Sequence, residues 1–133
     1  MQKTILLVDD DDLNLTIIEM YLKDEYQVLK ALSGREALDL LSNAQNVPDL
    51  ILLDVLMPEM DGWVVFDKIQ DIAALKHTPI MFYTSLDENS AKEKAYELGA
   101  SDYIVKPCDR SVLLDKIKNT LEKAELQKQE YGI

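Results

Sequence analysis

A chain of 133 residues, 47% hydrophobic and 29% charged, suffices for one domain with a full core and is too short for two. Its net charge of −11 and pI of about 4.4 exclude a general basic surface for duplex DNA. A single cysteine excludes an internal disulfide, and no apolar run approaches the ~20 residues that cross a bilayer. The amino-terminal residues lack the apolar core and cleavage signal of a secretory peptide, so a soluble, cytoplasmic protein is expected.

Thr4 to Val8 reads as a first strand, β-branched and leucine-rich, ending at the four acids Asp9 to Asp12. Leu13 to Lys23 carries apolar residues at 15, 18 and 22 and at 17 and 21, which is helical spacing, with acids at its positive dipole end. Tyr26 to Ala31 is a second, less apolar strand, expected near a sheet edge. Ser33 caps a helix to about Ser42, with Glu36 in capping-box spacing, and Asn43 to Pro48 is loop. Leu50 to Asp54 is a third strand; its four-leucine-type run, Leu50 to Leu53, is bounded by Pro48 and later by Pro58 and Gly62, as in a strand buried on both faces.

Gly62 to about Asp71 is a helix with Phe66 and Ile69 on one face. A polar loop leads to a fourth strand, Pro79 to Thr84. Asp87 or Asn89 opens a helix to Leu98, with Gly99 as its carboxyl-terminal cap. Asp102 to Val105 is a fifth strand, followed by Lys106 and Pro107. Asp109 caps a last helix to about Gln127, with an apolar stripe at 113, 114, 117, 121 and 124. Strands alternating with helices through short connections predict an α/β fold, a three-layer, doubly wound parallel sheet with right-handed crossovers. The flavodoxin-like order 2-1-3-4-5 sets strands one and three side by side, bringing Asp9, Asp10 and Asp54 to one crevice at the carboxyl ends of the strands.

Carboxylates crowded at adjacent strand ends repel each other, and a hard divalent cation such as Mg²⁺ relieves this. A calcium loop starting at Asp10 is excluded, because Leu15 stands where such a loop needs glycine and Tyr21 where it needs glutamate. A carboxylate beside Mg²⁺ can act as a nucleophile toward phosphorus. Phosphoryl transfer also needs positioning and charge neutralisation, and Lys106 and Thr84 end two further strands facing the same crevice.

Asp9 and Asp10 after Val8, Asp54 to Pro58 with Gly62, Thr84 with Ser85, and Lys106 with Pro107 together resemble the receiver domain of two-component response regulators, the CheY-like family. The ordered set is specific and spans about Thr4 to Leu121. The resemblance implies a phosphorylation-dependent switch in which Asp54 accepts a phosphoryl group from a phosphohistidine of a sensor histidine kinase or a histidine phosphotransfer protein. It implies Mg²⁺ held by Asp10, Asp54 and the Leu56 backbone carbonyl, with Asp9 assisting. It makes Lys106 a partner of the phosphoryl oxygens and Thr84 and Tyr103 the switch residues. The surface of the fourth helix, fifth strand and fifth helix becomes the readout, and the Lys106–Pro107 peptide is expected to be cis. Catalysis would be limited to the chain's own phosphorylation and dephosphorylation.

Some positions depart from the family's usual wording. Leu56 is apolar where relatives often carry a polar residue, and Ser85 replaces a usual alanine; both bear on phosphate lifetime. Cys108 is expected to be a small buried hydrophobe, His77 solvated, and Trp63 a partly exposed packing residue. The last helix lacks the motif of regulators that bind DNA through a winged helix, so direct nucleic-acid contact is not expected, nor is membrane contact. The receiver is expected over 1–125, with 126–133 a tail or the start of a linker. Two alternatives stand for output: a fused effector absent from this chain, or docking to a separate downstream protein, with a phosphorylation-linked dimer as a further possibility. An aspartyl phosphohydrolase is the rival enzyme class, but no loop is long enough for a cap. A receiver that ignores phosphate is the third reading, and the intact acid, threonine and lysine set opposes it.

Overall fold

A computed structural model describes residues 2–43 and 45–130. Five strands alternate with five α-helices: β1 (Thr4–Val8), α1 (Asp12–Leu22), β2 (Gln27–Ala31), α2 (Gly34–Leu41), β3 (Leu50–Leu53), α3 (Gly62–Gln70), β4 (Ile80–Thr84), α4 (Asn89–Leu98), β5 (Asp102–Val105) and α5 (Arg110–Glu130). All neighbouring strands pair in parallel, in the order β2-β1-β3-β4-β5. This is the expected α/β flavodoxin-like topology, with the less apolar β2 at an edge.

Strand alternation sorts the core into two layers. Leu6, Val8, Ile51, Leu53 and Phe82 face α2, α3 and α4. Ile5, Leu7, Leu50, Leu52, Met81 and Tyr83 face α1 and α5. Every residue of β3 is buried, as its unbroken apolar run requires. At roughly 1.5–3 kcal/mol for each large apolar side chain removed from water, these two layers dominate the favourable side of folding. The helices present matching stripes: Leu15, Ile18 and Leu22 on α1, and Leu113, Ile117 and Leu121 on α5.

Local chemistry sets most helix starts. Asp11 accepts from the amides of Leu13 and Asn14 and so begins α1, one residue before the expected Leu13. Ser33 caps α2 by accepting from the Glu36 amide, and Asp61 caps α3 by accepting from Val64. Helix α4 differs: its cap position is Glu88, whose side chain makes no capping bond. Gly99 closes α4 at φ 103°, a left-handed conformation that glycine adopts without a Cβ penalty. The connection before β4, expected to be a polar loop, contains a short 3-10 turn at Ala73–Leu75. Leu75 is its buried anchor, only 4% exposed, and the apolar run from Ile72 to Leu75 is too short to show a period.

The crevice lies where β1 and β3 diverge, because the chain leaves β1 toward β2 on one side and returns through β3 on the other. A separate polar groove of about 460 Å³ opens at the opposite, amino-terminal ends of β4 and β5, with Lys76, His77, Lys116 and Lys123 in its lining.

Candidate phosphoacceptor and metal site

Strand pairing carries the acids to their places. The Asp9 amide donates to the Ala31 carbonyl and the Asp54 amide to the Val8 carbonyl, so both residues leave the sheet in register. Asp9 and Asp54 are buried, each 6% exposed, whereas Asp10 is exposed. One carboxylate oxygen from each of Asp9, Asp10 and Asp54 lies within 4.8 Å of the others. Asp9 is fixed by the Asp11 amide and Asp54 by the Leu56 amide, at 3.0 and 3.2 Å.

Lys106 follows β5 and is positioned by its own amide, which donates to the Thr84 carbonyl at 2.8 Å. Its ammonium lies 2.5 Å from Asp9 Oδ2 and 3.4 Å from Asp54 Oδ2, with only 13% of the side chain exposed. Lys106 therefore bridges the two buried acids, and its nearer partner is Asp9, a pairing that residue types alone do not reveal. The Lys106–Pro107 peptide is cis.

Burial is the main force on the Asp54 carboxyl and pushes it above its usual range; the nearby Asp9 charge adds to the effect. The Thr84 hydroxyl, the Lys106 ammonium and the Leu56 amide act in the opposite direction. Thr84 is wholly buried, and its hydroxyl also accepts from the Leu86 amide at 3.3 Å. Tyr103 is 7% exposed and donates its hydroxyl to the Leu86 carbonyl at 2.6 Å. The segment after β4 is thus held by Thr84 on one side and Tyr103 on the other.

The turn after Asp54 is tightly made. Met57 is buried, and Glu59 adopts a left-handed φ of 66°. The Gly62 amide donates to the Val55 carbonyl at 2.8 Å. A Cβ on Gly62 would stand 2.2 Å from the Asp54 carbonyl oxygen, so glycine lets α3 begin against the site's backbone. From sequence Gly62 is a strand boundary, a helix start and part of the receiver-like motif; its close approach to the Asp54 backbone is not visible there, because it joins two elements through space. Leu56 is 49% exposed at the mouth of the crevice.

Other singled-out residues fall elsewhere. His77 is exposed at the groove on the opposite end of the sheet. Cys108 is partly buried against the α1 and α5 layer, and burial raises its thiol. Trp63 is half-buried and packs against the Phe82 ring, 4.9 Å between centroids. Tyr83, which the sequence does not single out, lies beneath Lys106, 5.4 Å from its ammonium, and burial pushes its hydroxyl up to about 12.

The donor set suits a hard cation: three carboxylates converge, with an exposed member open to solvent. Known proteins carry the same framework. A family model described as the response regulator receiver domain matches residues 5–118. Response regulator PleD of Caulobacter vibrioides is 38% identical over 90% of this chain, and transcriptional regulatory protein SrrA of Staphylococcus aureus is 36% identical over 94%. The chain spans 26% of the first of these relatives and 50% of the second. Among solved structures, a CheY-like receiver domain protein from Methanospirillum hungatei superposes with a TM-score of 0.87 at 28% identity, covering 96% of this chain and 99% of that one. A response regulator from Chloroflexus aurantiacus gives 0.84 at 36% identity, over 92% and 99%. No helix among the described residues is long and apolar enough to cross a membrane. The chain belongs to the response regulator receiver domain family of two-component signalling systems.

Proposed function

We propose that this domain is a phosphorylation switch in which Asp54 accepts a phosphoryl group from a phosphohistidine on a sensor histidine kinase or phosphotransfer protein. The observation that carries the proposal is the convergence of Asp9, Asp10, Asp54, Thr84 and Lys106 from four strand ends on one crevice. An Asp54 carboxylate oxygen attacks phosphorus, the P–N bond breaks, and its electron pair returns to the imidazole. Lys106 shifts from bridging two carboxylates to pairing with the incoming phosphoryl oxygens. Asp9, Asp10, Asp54 and the Leu56 carbonyl would hold Mg²⁺, which supplies charge neutralisation for an in-line transfer.

The readout is assigned to α4, β5 and α5. Thr84 and Tyr103 both hold Leu86, so a phosphoryl group that draws the Thr84 hydroxyl bears on the segment entering α4. Receiver function is assigned to residues 1–125, with 126–133 as a tail or linker start. Effector output, fused or separate, and a phosphorylation-linked dimer belong to the same reading. Chemistry is confined to the chain's own phosphorylation and dephosphorylation, in the cytoplasm.

Beryllofluoride and acetyl phosphate test this directly. Wild type forms one Mg²⁺-dependent adduct, seen by ¹⁹F NMR or as a mass increment, and Asp54→Asn removes it. An adduct that survives in Asp54→Asn, or turnover of small phosphate esters by that variant, overturns the assignment.

A further inference from the structure

Helix α4 is weakly anchored by its own burial. Its buried residues are two alanines, Ala91 and Ala95, and its cap position Glu88 makes no side-chain capping bond. Larger side chains hold it at its margins instead. Tyr96 donates its hydroxyl to Asp102 on β5 at 3.0 Å. On the opposite margin, the Lys94 ammonium stands 4.5 Å from the centre of the Trp63 ring, at the start of α3. Trp63 packs on Phe82 at 4.9 Å, and Phe82 packs on Tyr103 at 6.0 Å. Phe82 is completely buried, and Phe66 stacks on it at 5.6 Å, so the middle ring has no room to move independently.

We propose that Lys94 and Trp63 form a latch that couples the position of α4 to the state of Asp54 through the Phe82 and Tyr103 rings. It rests on Asp54 being the phosphoacceptor. The contact requires α4 to lie against α3, and the Tyr103 bond to Leu86 requires the β4–α4 connection to be closed. Both hold in one arrangement, so the latch stabilises the form with Tyr103 inside and Thr84 beside Asp54. A ligand on Asp54 that favours this form strengthens the latch, and the latch strengthens the ligand by the same factor. Lys94 and Trp63 are positioning residues, since neither touches the crevice acids. An exposed ammonium over a half-buried indole gives a modest factor, about two- to fivefold in an equilibrium.

Trp63 is the chain's one tryptophan, so its emission reports the latch without interference. Wild type, Lys94→Gln and Lys94→Arg are titrated with beryllofluoride in Mg²⁺, reading the adduct by ¹⁹F NMR and Trp63 emission and acrylamide quenching in parallel. Expected are a Trp63 change with adduct formation in wild type, an adduct two- to fivefold weaker in Lys94→Gln with that change lost, and recovery of both in Lys94→Arg. A purely structural role would lower the melting temperature of Lys94→Gln and leave its adduct affinity unchanged. That result, or an unaltered Trp63 response in Lys94→Gln, overturns the latch while the acceptor assignment stands. No adduct in wild type overturns the acceptor assignment and the coupling with it.

Discussion

Burial holds the Asp54 proton more tightly in the folded chain than in the unfolded one, with Asp9 reinforcing the effect. This carboxyl therefore favours folding at acid pH, and the contribution is lost as pH rises through its elevated folded value. At neutral pH the ionised group opposes folding despite Lys106 and Thr84. Asp54→Asn should thus melt higher than wild type near pH ~7.5 in metal-free buffer, with the gain vanishing below the ordinary carboxylate range of about 3.9. Calorimetry at both pH values tests it; a variant melting at or below wild type near neutrality would show that the partners outweigh burial. The acids, Thr84 and Lys106 were legible in the sequence because each is a reactive residue type at the end of an apolar run. The preference of Lys106 for Asp9 was not, since it depends on how β1, β3 and β5 space their ends across the sheet.

Elements meet the site through backbone as well as side chains. The two helical glycines of the α2 and α3 region differ in what surrounds them. A Cβ at Gly34 would meet Val65 Cγ2 at 2.5 Å and the Met60 side chain, side-chain atoms rather than backbone. A Cβ at Gly62 would meet the Asp54 carbonyl and the Val55 backbone, which cannot move without shifting the acceptor. Gly62→Ala should cost about 2–3 kcal/mol, near the top of the overpacking range, and Gly34→Ala less. Urea denaturation of both variants decides the order, and equal losses would show that α3 slides freely. Helix and strand identities followed from apolar periodicity. The 3-10 turn at Ala73–Leu75 and the bare cap at Glu88 did not, because each rests on one residue's tertiary setting.

Across the whole molecule, the sheet order was readable from the alternation of strands and helices, and from the need to bring Asp10 beside Asp54. A metal that binds only the folded acids should raise the melting temperature. A hundredfold excess of Mg²⁺ over its Kd adds about 2.7 kcal/mol, several degrees for a chain of this length. Asp54→Asn should lose most of that shift, and a wild type indifferent to millimolar Mg²⁺ would count against the site. Acids Asp9 to Asp12 crowd the carboxyl ends of the strands, while Lys76, Lys116 and Lys123 gather near the amino ends. On a chain of net charge −11, that crowding makes the carboxyl ends of the strands an acidic pole for an approaching ion. Cations are gathered at the acidic pole before any is coordinated, and salt erodes that enrichment once the screening length shrinks to about 10 Å near 0.1 M.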